Sequence, residues 1–186
     1  MAKFILGKKI GMTTIYGEDG AQNVTLVECG AKVSLTKNSE KDGYNAVQLE
    51  TQKTKNKKFK KEFRVEDVKL EKDANLDVSI FEIGDKVKVS GIAKAKGFQG
   101  VVKRHGFGGG PASHGGKHNL RQPGSIGAGF PEHVIKGKRM AGRMGGKRTT
   151  SKNIKIVFID KEKNILGLKG SVPGVAGRFV ELVSVE

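Results

Sequence analysis

The chain has 186 residues, 36% of them hydrophobic, with 27 glycines and 35 Lys and Arg against 19 Asp and Glu, for a formal charge of +16. A compact fold holding that charge repels itself unless an anionic partner absorbs it, which points to nucleic acid or an anionic membrane surface. No apolar run approaches the roughly 18–20 residues of a membrane-spanning helix. The opening Phe4-Ile5-Leu6 is too brief for a secretory leader, and the single Cys29 allows no intrachain disulfide. A soluble protein of a reducing, cytoplasmic compartment is expected.

In chain order, Lys3 to Ile10, Asn23 to Glu28 and Tyr44 to Glu50 read as strands. Lys53 to Arg64 reads as a short basic helix running towards Glu71, an insertion over about 53–72. Phe59 and Phe63, at i and i+4, would give it one apolar stripe. Lys55, Lys57, Lys58, Lys60 and Lys61 would cover the rest, either as a solvated face or as a second phosphate contact. Asp77 to Ile83 reads as a strand that turns at Gly84-Asp85 into the alternating Lys86-Val87-Lys88-Val89. Much later, Asn153 to Ile159 alternates with β-branched residues, and Asp160 to Asn164 is a turn-rich link. Ile165 to Lys169 pairs back, and Phe179 to Val185 closes the series. Seven or eight short strands with Gly-rich turns predict a mainly β fold, a closed antiparallel barrel in place of a two-sheet sandwich.

The charge is concentrated. Residues 91–152 hold 13 Lys and Arg against one acid, together with 16 of the 27 glycines, three of the four prolines and all four histidines. Their apolar residues follow neither a helical nor a strand period apart from Gly100-Val101-Val102, so this stretch cannot bury enough surface to offset its own ordering entropy. A long irregular segment inside a small domain is uncommon, and is usually functional or disordered. The expected organisation is one barrel, 1–92 and 153–186, interrupted by a Gly-rich basic extension, 93–152, that becomes ordered against its partner.

Chemical motifs fail one by one. Gly116-Lys117 and Gly146-Lys147 lack the distal glycine and the hydroxyl of a phosphate loop, for Pro111, His118, Ala141 and Arg148 stand at those places. Gly106-Phe107-Gly108 meets Pro111 where a dinucleotide fingerprint needs glycine. His114 and His118 have the spacing of a helical zinc pair, but Gly115-Gly116 between them opposes a helix. Ser113 beside His114 has no orienting acid, since Glu132 is the extension's only carboxylate. No catalytic residue, metal site or cofactor is expected. An RNA-modifying enzyme would need an acid–base pair or nucleophile, and a membrane-surface module an amphipathic helix or lipidation site; the extension supplies neither.

What recurs suits RNA. Lys94, Lys96, Lys103, Arg104, Lys117, Arg121, Lys136, Lys138, Arg139, Arg143, Lys147 and Arg148 would meet phosphates, and Arg can also lie flat on a base. Phe98, with Phe107 and Phe130, could stack on exposed bases, and His105, His114 and His118 could donate to phosphate or ribose or pack among RNA bases.

The runs Lys94 to Phe107, Gly109 to Gly115, Arg121 to Gly127 and Lys136 to Gly142 closely resemble the universal large-subunit ribosomal protein three family, in its bacterial form. Gly7 to Thr13 and Gly170 to Gly174 resemble it too, in the expected order. The resemblance implies a barrel related to that of translation factors and a looped extension running through ribosomal RNA towards the peptidyl-transferase centre. Gln122 to Arg148 would form its deep end and Lys94 to His118 its base and middle. It further implies binding near the 3′ end of the large-subunit RNA, a part in early assembly, and neighbouring large-subunit proteins as partners, with no membrane, small-molecule substrate or catalysed reaction. Arg143 stands where many bacterial members carry a methylated glutamine, so that modification is expected to be absent.

Overall fold

The computed structural model describes residues 3–17, 20–66 and 70–185. In chain order the elements are β1 (Phe4–Gly17), β2 (Gly20–Cys29), β3 (Ala31–Lys37), helix α1 (Ser39–Asp42), β4 (Ala46–Thr54), β5 (Lys57–Arg64), β6 (Asn75–Leu76), a 3-10 turn at Val78–Ile80, and β7 (Lys86–Ile92). There follow β8 (Phe98–Gln99), helix α2 (Val101–His105), β9 (Gly142–Arg143), β10 (Arg148–Asp160), β11 (Ile165–Lys169) and β12 (Phe179–Ser184). The chain divides into two compact units: one runs to Ala93 and resumes at Arg148, and the other is Lys94–Lys147.

In the first unit six strands close into a ring in the order β1-β12-β7-β10-β11-β2, antiparallel at every seam. Period-two alternation drives it, because successive side chains on a strand point to opposite faces. Val87 and Val89, Ile154 and Ile156, Leu166 and Leu168, and Val180 and Leu182 all point inward and are buried. A ring of so few strands is filled by its own side chains, each contributing roughly 1.5–3 kcal/mol of burial. Residues 93–147 are inserted between β7 and β10, two paired strands on which Ile92 lies opposite Arg148.

Lys9 joins two segments that are far apart in sequence. It is 7% exposed, and its Nζ donates to the carbonyls of Val172 (3.0 Å) and Gly174 (3.2 Å). The Lys9 amide donates to the Arg178 carbonyl, and the Gly177 amide to that of Lys9. A buried ammonium is costly unless its protons find acceptors, and these carbonyls supply them.

The structure departs from the sequence-based expectation in four places. The expected helix over Lys53 to Arg64 is strand β5, paired in a hairpin with β4. A spacing of four is even, so it places Phe59 and Phe63 on one face of a strand as readily as of a helix. The exposure of β5 alternates accordingly, with Phe59, Lys61 and Phe63 the more covered residues. Among the described residues the α-helices are instead α1 and α2. Second, the strands do not all enter one barrel: β5-β4-β3-β6 form a separate four-stranded sheet. Its member β3 lies outside the strands expected from the sequence, although Ala31 and Val33 alternate into the core. Third, Asp77 to Ile83 is not a strand: Val78 and Phe81 are buried three residues apart across the 3-10 turn, while Ile83 is exposed. Last, β10 begins at Arg148 rather than at 153.

The two sheets of this unit share one core, in which Phe4 stacks on Phe63 with ring centroids 4.9 Å apart. Cys29 lies in that core. Burial, with a smaller contribution from the nearby Glu28 carboxylate, pushes its thiol far above the usual range, so it is an inert packing residue.

Candidate nucleic-acid interface

The unit Lys94–Lys147 carries 11 Lys and Arg and a single acid, Glu132. Among the described residues no ion pair forms within it, so these cations are balanced by nothing of its own.

Its base is the ordered part. β8 pairs with β9, setting Phe98 opposite Arg143 and Gln99 opposite Gly142. The Lys96 amide donates to the Met144 carbonyl, and the Met144 amide to that of Gly97, each at 2.9 Å. Helix α2 ends on Gly106 and turns Arg104 and His105 onto one acceptor. Arg104 Nη1 and His105 Nε2 lie 2.5 and 3.0 Å from the Met140 carbonyl. Gly145 sits at φ +71°, and a Cβ there would lie 2.0 Å from the Lys94 carbonyl oxygen; only glycine fits.

Beyond the base the chain doubles back on itself. Gly110 donates to the Asn119 carbonyl, and a Cβ on Gly109 (φ +76°) would lie 2.0 Å from the carbonyl oxygen of Leu120. The remaining bonds are short-range turns, such as Gln122 Nε2 to the His118 carbonyl and Ser125 Oγ to that of Gly127. Every residue from 111 to 139 is exposed, including Leu120, Ile126, Val134 and Ile135. Apolar side chains left exposed in such a run are the kind of surface that a partner covers.

The predicted residues fall into three groups. Lys94, Lys96, Lys103, Lys117, Arg121, Lys136, Lys138, Arg139, Arg143 and Lys147 are exposed, as are Phe98 (76%) and Phe130 (86%). His114 and His118 are exposed too, both at positive φ (58° and 59°) in irregular backbone, so they do not share a helix face. Arg104 and His105 are half-buried and engaged with Met140, which makes them organisers of the base; His105 also packs near Phe107, centroids 6.0 Å apart. Arg148 lies in the first unit on β10, ion-paired with Glu181. Sequence reasoning missed this pair, whose members are 33 residues apart, and it missed Lys9, which local pattern does not single out.

A basic unit with a bonded base and a long exposed course is suited to lie among phosphates. The family model described as Ribosomal protein L3 matches residues 33–171, which take in this whole unit. The chain belongs to that family. Its relatives include proteins named large ribosomal subunit protein uL3. That of Carboxydothermus hydrogenoformans is 43% identical over 97% of this chain and 96% of its own length. That of a Synechococcus strain is 44% identical over 96% and 91%, and that of Bacillus cytotoxicus 45% over 97% and 95%. The ribosomal protein L3 match therefore extends over both units.

Proposed function

We propose that the chain is a structural constituent of the bacterial large ribosomal subunit, a cytoplasmic particle, and acts without catalysing a reaction. It binds large-subunit ribosomal RNA near the 3′ end, promotes early assembly and supports the peptidyl-transferase centre through the extended unit. The ring is a barrel of the translation-factor type and serves as the docking body beside neighbouring large-subunit proteins. The observation that carries this is the exposed run 111–139 within a unit of 11 cations and one acid. Such a segment gains its surroundings from RNA, with Lys and Arg neutralising crowded phosphates, Phe98 and Phe130 offering stacking faces, and small residues allowing close backbone approach.

Limited proteolysis of the purified chain, free and within large subunits, tests the proposal. Cleavage within 111–139 in the free chain and protection in the subunit is the expected pair of results. Failure of the chain to enter the subunit would overturn it.

A further inference from the structure

The hairpin of β4 and β5 carries a second concentration of cations, and the structure sorts them. Glu50 holds two: Lys58 at 2.6 Å and Lys60 at 3.3 Å. Lys61 pairs with Glu181 at 3.3 Å, and Arg64 lies over the Tyr44 ring. Glu62 is taken by Lys37 at 3.0 Å. Both acids between Glu50 and Arg64 are therefore occupied along the strands. Three lysines remain at the tip, Lys53, Lys55 and Lys57, all exposed, with no acid at ion-pair distance among the described residues.

The tip carrying them is braced. Gln52 Nε2 donates to the carbonyl of Thr54 (2.8 Å) and to that of Lys55 (3.2 Å), tying the turn residues to the end of β4. Three ammonium groups within five residues are thus presented on a supported turn and not on a loose tail. Compact, rotatable ammonium groups suit phosphate oxygens as point charges. Residues 52–57 include no aromatic side chain to stack on a base and no large apolar one to enter a membrane.

We propose that the tip, Lys53, Lys55 and Lys57, is a second RNA-backbone site that contacts phosphates without reading sequence. It rests on the assignment of ribosomal RNA as the partner and adds a contact made by the first unit, separate from the basic unit Lys94–Lys147.

The test is the full chain carrying Lys53→Gln, Lys55→Gln and Lys57→Gln, titrated with large-subunit ribosomal RNA across a salt series. A parallel variant replaces the same three residues with Arg. Each phosphate contact contributes roughly 0.7–0.9 to the slope of log affinity against log salt. The Gln variant is expected to lower that slope by about 2 to 3, and the Arg variant to keep it, while the preference for this RNA over an unrelated RNA stays the same. An unchanged slope in the Gln variant, with wild-type binding intact, overturns the tip site alone. So does an unchanged slope accompanied by tip-dependent binding to phosphatidylserine vesicles, which would assign the lysines to a membrane. Absence of RNA binding by the wild-type chain would instead overturn the underlying function.

Discussion

Phe59 stacks on Phe179, their ring centroids 4.7 Å apart and their planes 9° from parallel. One ring belongs to β5 of the four-stranded sheet and the other to β12 of the closed ring, so the pair joins two sheets that share no hydrogen-bonded seam. Close to it, Glu181 on β12 takes both Lys61 and Arg148, adding a polar tie between the same sheets.

Removing either aromatic ring is expected to loosen this join. Phe59→Ala should destabilise the protein by about 1–3 kcal/mol, less than a fully buried phenylalanine because both rings are only partly covered. A double-mutant cycle with Phe179→Ala in urea should give a coupling of about 0.5–1.5 kcal/mol. A coupling near zero would show that the stack is incidental.

Lys9→Met should cost about 2–4 kcal/mol in urea unfolding, since it removes donors from two buried carbonyls, Val172 and Gly174, while keeping most of the side-chain volume. Lys9→Arg should not rescue it, because a planar guanidinium does not match acceptors arranged for an ammonium.

Acid should weaken the first unit in a way that Asp85 reports. Its carboxylate accepts from the Glu82 amide (3.1 Å) and from Lys3 Nζ (3.0 Å), which hold its pKa below the ordinary carboxylate value. A lowered folded pKa contributes stability that is present above the unfolded value, near 3.8, and is lost as pH falls through the folded one. Glu50, held down chiefly by Lys58 and then Lys60, acts in the same direction. Urea midpoints from pH 7 to pH 2 should fall less steeply for Asp85→Asn than for the wild type.

The alkaline limb has the opposite sign. Lys37, bonded first to the Tyr44 hydroxyl and then to Glu62, has its pKa raised to about 12. Its contribution is fully present below its unfolded value of 10.5 and disappears as pH rises through about 12. Lys37→Met should remove that dependence between those two values, a change visible as a flatter alkaline limb of the same urea midpoints.

Gly145→Ala should disrupt the base of the basic unit and spare the ring. The added methyl group meets the Lys94 carbonyl at a backbone angle alanine rarely adopts, a strain of about 1–3 kcal/mol. The expected outcome is faster proteolysis at the ends of the unit and weaker binding to large-subunit RNA, with the main unfolding transition unmoved. A drop in that transition equal to the loss in binding would show that the two units unfold together.

Stretches that alternate along the chain, such as Lys86-Val87-Lys88-Val89 in β7 and Asn153 to Ile159 in β10, were legible because the period that marks them is local. The hairpin β4–β5 was not. Phe59 and Phe63 satisfy both periods, and only the facing strand, with Val47 opposite Phe63 and Thr51 opposite Phe59, decides between them. The separate sheet is hidden for a related reason, since β3 must find β6, which begins 38 residues after β3 ends.

The basic, glycine-rich character of 93–152 is visible along the chain, since Gly density, charge and lack of period are properties of composition. The partners of its side chains are not. Arg104 and His105 looked like any other basic pair until Met140, 36 and 35 residues away, supplied their shared acceptor. Arg148 likewise lies beside Glu181, a neighbour 33 residues away that its place in the chain does not reveal.

The amino-acid sequence by itself determined the location of the charge, the mainly β composition and, through its ordered motifs, the family. These depend on residue types and short spacings, which survive without a fold. Only the tertiary structure decided which cations are already spent. Ion pairs and shared acceptors form between residues brought together by strand register, as Lys9 is with Val172 across 163 positions. Those pairings leave Lys53, Lys55 and Lys57 without an acid at ion-pair distance among the described residues, and no pattern along the chain records which acid a lysine will meet in space.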